Sequence, residues 1–345
     1  MSSLVSALWI IILFATNCIL RMKCRMVLPS CIHNDINSRR YDYPLIWGRS
    51  LCEKHYGVDE CDRMDPRRRY VDHYHQKSLH PVFLFVVNYH WSLFKSIDFF
   101  RNEYYPRFHQ LFNYSFDVVY LAPTHEKNCT IASHGLPKGG FYSYHTLSVA
   151  YYLYGNVSGY SYDGYFLVND DAFLDPLLLN QQNLSHSFHE RTGVYNRESN
   201  WHWNKASNEF LVSFPDAFYA AIEDVKRMPL LEEKCNLKNP TNHRWMLQDF
   251  FYVVGDDMET FAALSVVFYK HRAFLEMAGP TINWCLSHHF IASCNHGFWR
   301  DVRDCVHFHP VKLGNSSNRE LVMNHINRVD MERVPSMPWL LLCCT

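Results

Sequence analysis

Three apolar runs limit what this chain can become more than any other feature: PVFLFVVNY at 81–89, FDVVYLAP at 116–123 and GYFLVNDD at 164–171. Each is too short for a buried helix, rich in Val and Phe, and apolar without alternation. That is the signature of a strand covered on both faces. A sheet buried on both sides needs helices on both sides, and the intervening segments supply them. SLFKSIDFFRNEYYP (92–106) places Leu93, Phe94, Ile97 and Phe100 at helical spacing and is expected to close at Pro106. SYHTLSVAYYLYG (143–155) reads as a second helix ended by Gly155. Strand alternating with helix predicts an α/β fold, a Rossmann-type, mostly parallel sheet flanked by helices.

In such sheets ligands collect beyond the carboxyl ends of the strands. Asn88, Pro123 and the trio Asn169, Asp170 and Asp171 fall there. Adjacent carboxylates at the rim of a core are costly unless water or a cation satisfies them. A hard divalent cation that also grips phosphate oxygens suits such a pair. Two later stretches carry further candidates. DCVHFHPVKLG (304–314) offers His307, His309 and Lys312, with the two histidines expected on one face of a strand. HRWMLQDFFYVVGDDMETF (243–261) places Asp249 just before another apolar run, and Asp256 or Asp257 where an N-cap is expected. Glu276 is a carboxylate in an otherwise apolar helical segment, the setting that raises a pKa and makes a general base. Trp201, Trp203, Trp245, Trp284 and Trp299 can stack on a sugar or base, although core packing is the commoner use of such rings.

The compartment is read from other signals. Residues 4–20 are uncharged and apolar, long enough for a signal-anchor or transmembrane segment, or for a signal peptide. Five N-x-S/T sequons follow, at Asn113, Asn128, Asn156, Asn183 and Asn315. The 12 cysteines include Cys52, Cys61, Cys129, Cys235, Cys285, Cys294 and Cys305, which an oxidising lumen allows to pair. Arg21, Lys23 and Arg25 follow the apolar segment and by themselves favour a cytosolic body; the sequons and cysteines outweigh them. The expected layout is an anchor over 1–25, a stem or irregular region over 26–80, a catalytic domain over 81–335 and a tail over 336–345. The expected location is the Golgi or endoplasmic reticulum membrane with a lumenal domain, or secretion if the leader is cleaved. A net charge of −1 gives no electrostatic case for nucleic acid.

Several motifs are missing. HEKNC at His125 and HERTG at His189 lack the second histidine of a zinc protease. No G-x-S-x-G elbow, P-loop or G-x-G-x-x-G is present. What remains, an acidic turn after a buried strand that itself follows a βαβ region, resembles the metal motif of nucleotide-sugar-dependent glycosyltransferases with the GT-A fold. The tyrosine-rich run before the turn is loosely similar to STELLO-type Golgi proteins. The resemblance implies transfer of a sugar from a nucleotide diphosphate, such as a UDP-sugar, to a hydroxyl of a glycan or protein acceptor. It implies Mn²⁺ or Mg²⁺ on Asp170, Asp171 and His309, with Lys312 on phosphate, and Asn169, Asp170 and Asn88 near the nucleotide. Glu276 or Asp249 would be the base. Asn169 stands where the family pattern has an acid, the feature that favours one rival, an inactive scaffold of the same fold; a second rival is a metal-independent glycoside hydrolase using paired carboxylates.

Overall fold

A computed structural model describes residues 71–74, 81–89, 96–122, 132–133, 139–155, 162–198, 201–208, 210–294 and 305–333. The apolar segment at 4–20, Trp299, Asn128 and Asn156 lie outside these residues, as do Cys52, Cys61 and Cys129. Among the described residues no helix is long and apolar enough to cross a membrane.

The chain opens with strands β1 (Val71–Tyr74) and β2 (Val82–Asn88). Helix α1 then starts at Ile97–Phe99, widens into a π-helical turn over Phe100–Tyr104 and continues through Tyr105–Leu111. Strands β3 (Ser115–Ala122) and β4 (Ala132–Ser133) follow, then α2 (Ser143–Ala150) and β5 (Gly164–Asn169). Next come β6 (Phe173–Leu174), the short α3 (Pro176–Leu179), β7 (Phe188–Glu190) and β8 (Gly193–Val194). Helices α4 (Phe214–Lys226) and α5 (Pro229–Cys235) lead to β9 (Arg244–Trp245) and β10 (Phe250–Val254). The remainder is α6 (Met258–Lys270), α7 (Leu275–Leu286), β11 (His289–Ile291), β12 (Ser293–Cys294), β13 (His307–Phe308) and α8 (Ser316–Arg333).

The eight-stranded sheet runs β1-β3-β2-β5-β10-β7-β11, with β4 paired to β3. Its centre, β3-β2-β5, is parallel, as is the β7-β11 edge. The sheet is therefore a mixed α/β sheet, mostly parallel, flanked by helices. The exceptions are β10, antiparallel to both neighbours, and β1 on β3. Continuous apolarity identified strands buried on both faces, and the two cores show why. Val82, Leu84 and Val86 of β2 pack with Tyr165 and Leu167 of β5 and with α2, α4, α6 and α7. Phe83, Phe85 and Val87 point the other way, with Phe166 and Val168, against α1 and α8. That second face is largely aromatic: Phe85 stacks on Phe166 at 4.4 Å and meets Phe108, Phe112 and Phe116 edge-on.

Two expectations are corrected, and a third is met in position but not in its bond. Pro106 does not end α1. It has no N–H to give, but the preceding turn has already widened, with the Tyr105 N–H bonding Phe100 five residues back, so the helix passes the proline and ends near Leu111. The sheet begins inside the segment read as stem, because β1 is too short to show a pattern and sits on an edge. Asp257 stands at the head of α6 but makes no capping bond; it accepts from Ser187 and pairs with Lys234.

Candidate functional site

Strands β2 and β5 end side by side, Asn88 paired with Asn169. Their side chains do not face solvent. The Asn88 amide donates to the Asn169 carbonyl oxygen at 2.9 Å, and the Asn169 amide donates to Asp249 Oδ1 at 2.6 Å. Thr146 of α2 donates to Asn88 at 2.9 Å. Both asparagines are fully buried, so their amides form a ladder that joins three elements and fixes Asp249. The backbone repeats the tie, Asn169 N–H to Asp249 C=O and Asp170 N–H to Asn88 C=O.

The acidic turn projects past this ladder. Asp171 is held by its own carbonyl, which accepts from Val311. That bond brings the segment after β13 across the turn. His309 then sits between two carboxylates: Nε2 lies 3.3 Å from Asp171 Oδ1, and Nδ1 lies 3.0 Å from Asp249 Oδ2. Both are close pairings of the ring with a carboxylate. Lys312 pairs with the other oxygen of Asp171. Burial opposes the charge on His309, but Asp249 and Asp171 outweigh it and lift the imidazole to about 10. Lys312 is raised too, burial again opposing and Asp171 prevailing.

Glu276 enters from α7. Pro280 lies inside that helix, so the Glu276 carbonyl four residues earlier has no helical donor. It accepts instead from the Met246 N–H at 3.0 Å, which ties the first turn of α7 to the segment leading into Asp249. Burial first, then the charge of Asp249, push the Glu276 carboxyl up to about 8, against the positive charge of His309.

A fifth acid, Glu190, belongs to the same arrangement and escaped sequence reading. At the end of β7 it is 2% exposed. One oxygen accepts the Asp249 N–H at 3.1 Å; the other accepts from Ser293 and lies 3.1 Å from His307 Nδ1. His307 stacks parallel to His309 with centroids 6.2 Å apart, in keeping with the shared face expected of the two rings. HERTG lacks the second histidine of a zinc protease, and nothing local marks its glutamate as a support.

The structure thus brings together Asp170, Asp171, Asp249, Glu276, His309 and Lys312, and sets Asn88 and Asn169 behind them. Trp201, Trp203 and Trp245 pack against the core, and Trp284 lies under Arg244 at 3.3 Å. Disulfides Cys235–Cys285 and Cys294–Cys305 tie α5 to α7 and β12 to the approach of β13. The described sequon asparagines, Asn113, Asn183 and Asn315, are all exposed.

Two carboxylates and an imidazole are donors that suit a hard divalent cation. Among the described residues, however, no group of three or more such side chains stands ready around one point. The reason is geometric: the His309 ring faces Asp171 with one nitrogen and Asp249 with the other. The donor chemistry fits a cation on condition that His309 gives up its proton. The chain matches no known protein-family model and no curated protein.

Proposed function

We propose that the protein is a divalent-metal-dependent glycosyltransferase of GT-A type, acting in the lumen of the secretory pathway on a nucleotide-diphosphate sugar. The observation that carries this reading is the convergence, beyond the ends of β2 and β5, of the acidic turn with Asp249, Glu276, His309 and Lys312 from three later segments. Asp170, Asp171 and His309 would hold Mn²⁺ or Mg²⁺, with Asp249 beside them. A bound cation would supply a Lewis acid for the diphosphate oxygens. Lys312, 73% exposed at its side chain, can swing from Asp171 to phosphate. Glu276 is favoured over Asp249 as the base that takes the acceptor hydroxyl proton, since a carboxyl near 8 is poised to exchange protons at neutral pH while Asp249 is already engaged by Asn169 and His309. Exposed sequons and two disulfides support a lumenal setting, with residues 4–20 as the anchor.

A second reading, an inactive scaffold of the same fold, is favoured by one observation: both oxygens of Asp171 face cations of the chain itself. Calorimetric titration with UDP, GDP and CMP, with and without Mn²⁺, separates the two. Metal-dependent binding of one nucleotide, abolished by Asp171→Ala, supports the transferase. A folded protein that binds none of them is a scaffold.

A further inference from the structure

Two amide side chains next to the site have no hydrogen-bond partner among the described residues. Gln248, immediately before Asp249, is 1% exposed, and Asn283 on α7 is 2% exposed. The nitrogen and the oxygen of each carboxamide are buried without a hydrogen bond among the described residues. Buried polar groups are almost always paired, so four unpaired atoms from two neighbouring side chains call for a function. Both lie along one face of α7, Gln248 against its glycine. The Gln248 carboxamide oxygen lies 2.5 Å from where a Cβ on Gly279 would stand, so a helix-weakening residue makes room for it. Asn283 is one turn further along α7 and Glu276 one turn back, on the same helix face. Asp249, Glu276, Gln248 and Asn283 therefore form one polar track between α7 and the entrance to β10. Residues 244–247, just ahead of Gln248, are only half-buried.

We propose that Gln248 and Asn283 form a hydroxyl-binding floor for the sugar ring handled by this site. The assignment rests on the glycosyltransferase reading and names the group that the inner half of the site takes. The chemistry selects the class. Each carboxamide presents a donor and an acceptor side by side, which matches a hydroxyl, itself both. A phosphate offers only acceptors and a cation needs only acceptors, so either would leave half of each amide opposed. Phosphate belongs instead with Lys312.

The test uses the full chain in detergent and saturation-transfer NMR with glucose, galactose, mannose and N-acetylglucosamine, each with and without UDP and Mn²⁺. The variants are Gln248→Met and Asn283→Leu, close in shape and without the amide. The expected result is that at least one monosaccharide binds the wild type and binds each variant about tenfold or more weakly, a loss of about 1.4 kcal/mol. Each variant should also melt about 2–4 °C higher, because an unsatisfied buried amide has been removed. Failure of any sugar to bind the wild type, or equal binding by both variants, overturns the proposal. UDP binding without sugar binding removes this inference and spares the transferase reading. Sugar binding without UDP does the reverse, and absence of both removes both.

Discussion

The charge arrangement at His309 makes folding stability depend on pH in the direction opposite to ordinary acid denaturation. Unfolded, the imidazole titrates near 6.5; folded, between Asp171 and Asp249, near 10. The folded chain therefore holds an extra proton across that window. Its stabilisation is complete below pH 6.5 and is lost as the pH rises through about 10. One extra bound proton corresponds to about 1.4 kcal/mol per pH unit, so the whole window is worth on the order of 4–5 kcal/mol. Glu276 acts with the same sign at lower pH, its carboxyl moving from 4.5 unfolded to about 8 folded. Where the two windows overlap, stability should fall by about 2–3 kcal/mol per pH unit. Urea unfolding of wild type, His309→Gln and Glu276→Gln, in steps of about one pH unit from about 6 to about 10, reads this directly. His309→Gln should flatten the curve above about pH 8, and Glu276→Gln should flatten it below that point. A His309→Gln curve as steep as the wild type between about pH 8 and 10 would refute the account.

Two further outcomes follow from the same geometry. Breaking Cys235–Cys285, which closes a separation of 50 residues, should cost about 4 kcal/mol, and breaking Cys294–Cys305, with a separation of 11, about 3 kcal/mol; paired Cys→Ser variants compared in urea check the order. Asn169→Asp places a carboxyl within 2.6 Å of Asp249 in a fully buried position. It should destabilise the protein by roughly 3 kcal/mol at neutral pH, and the deficit should shrink as the pH is lowered and the new carboxyl takes up a proton to donate to Asp249.

The central strands were legible because burial on both faces forces a run such as FLFVV to be apolar at every position, and no other local structure of that length asks for this. The acidic turn was legible as well, since two charges at the end of such a run stand out. Less could be read of what surrounds them. Pro106 predicts a helix end by a sound local rule, and a π-helical turn set by packing overrides it. Strands β4, β6, β9, β12 and β13 have two residues each and exist only because partners arrive from elsewhere in the chain. Glu190 supports the site across 59 residues to Asp249 and 117 to His307, a relation no local spacing can carry.

Asn169 shows how the site depends on such distant relations. From sequence, an amide beside two acids counts against that position serving a cation. In the folded chain its two functions are opposite in sign and need an amide: the oxygen receives the Asn88 amide while the nitrogen serves Asp249. An ionised acid can accept the first bond but cannot donate the second. The amide holds one oxygen of Asp249 at the end of a buried ladder, and the other oxygen meets His309. Glu190 accepts the Asp249 N–H from the other side, and the carbonyl that Pro280 frees anchors Glu276 beside it. Asp249 and Glu276 are thus each aimed by a neutral or buried group behind them. On this account the amide at position 169, together with Glu190, is what orients the acid at position 249.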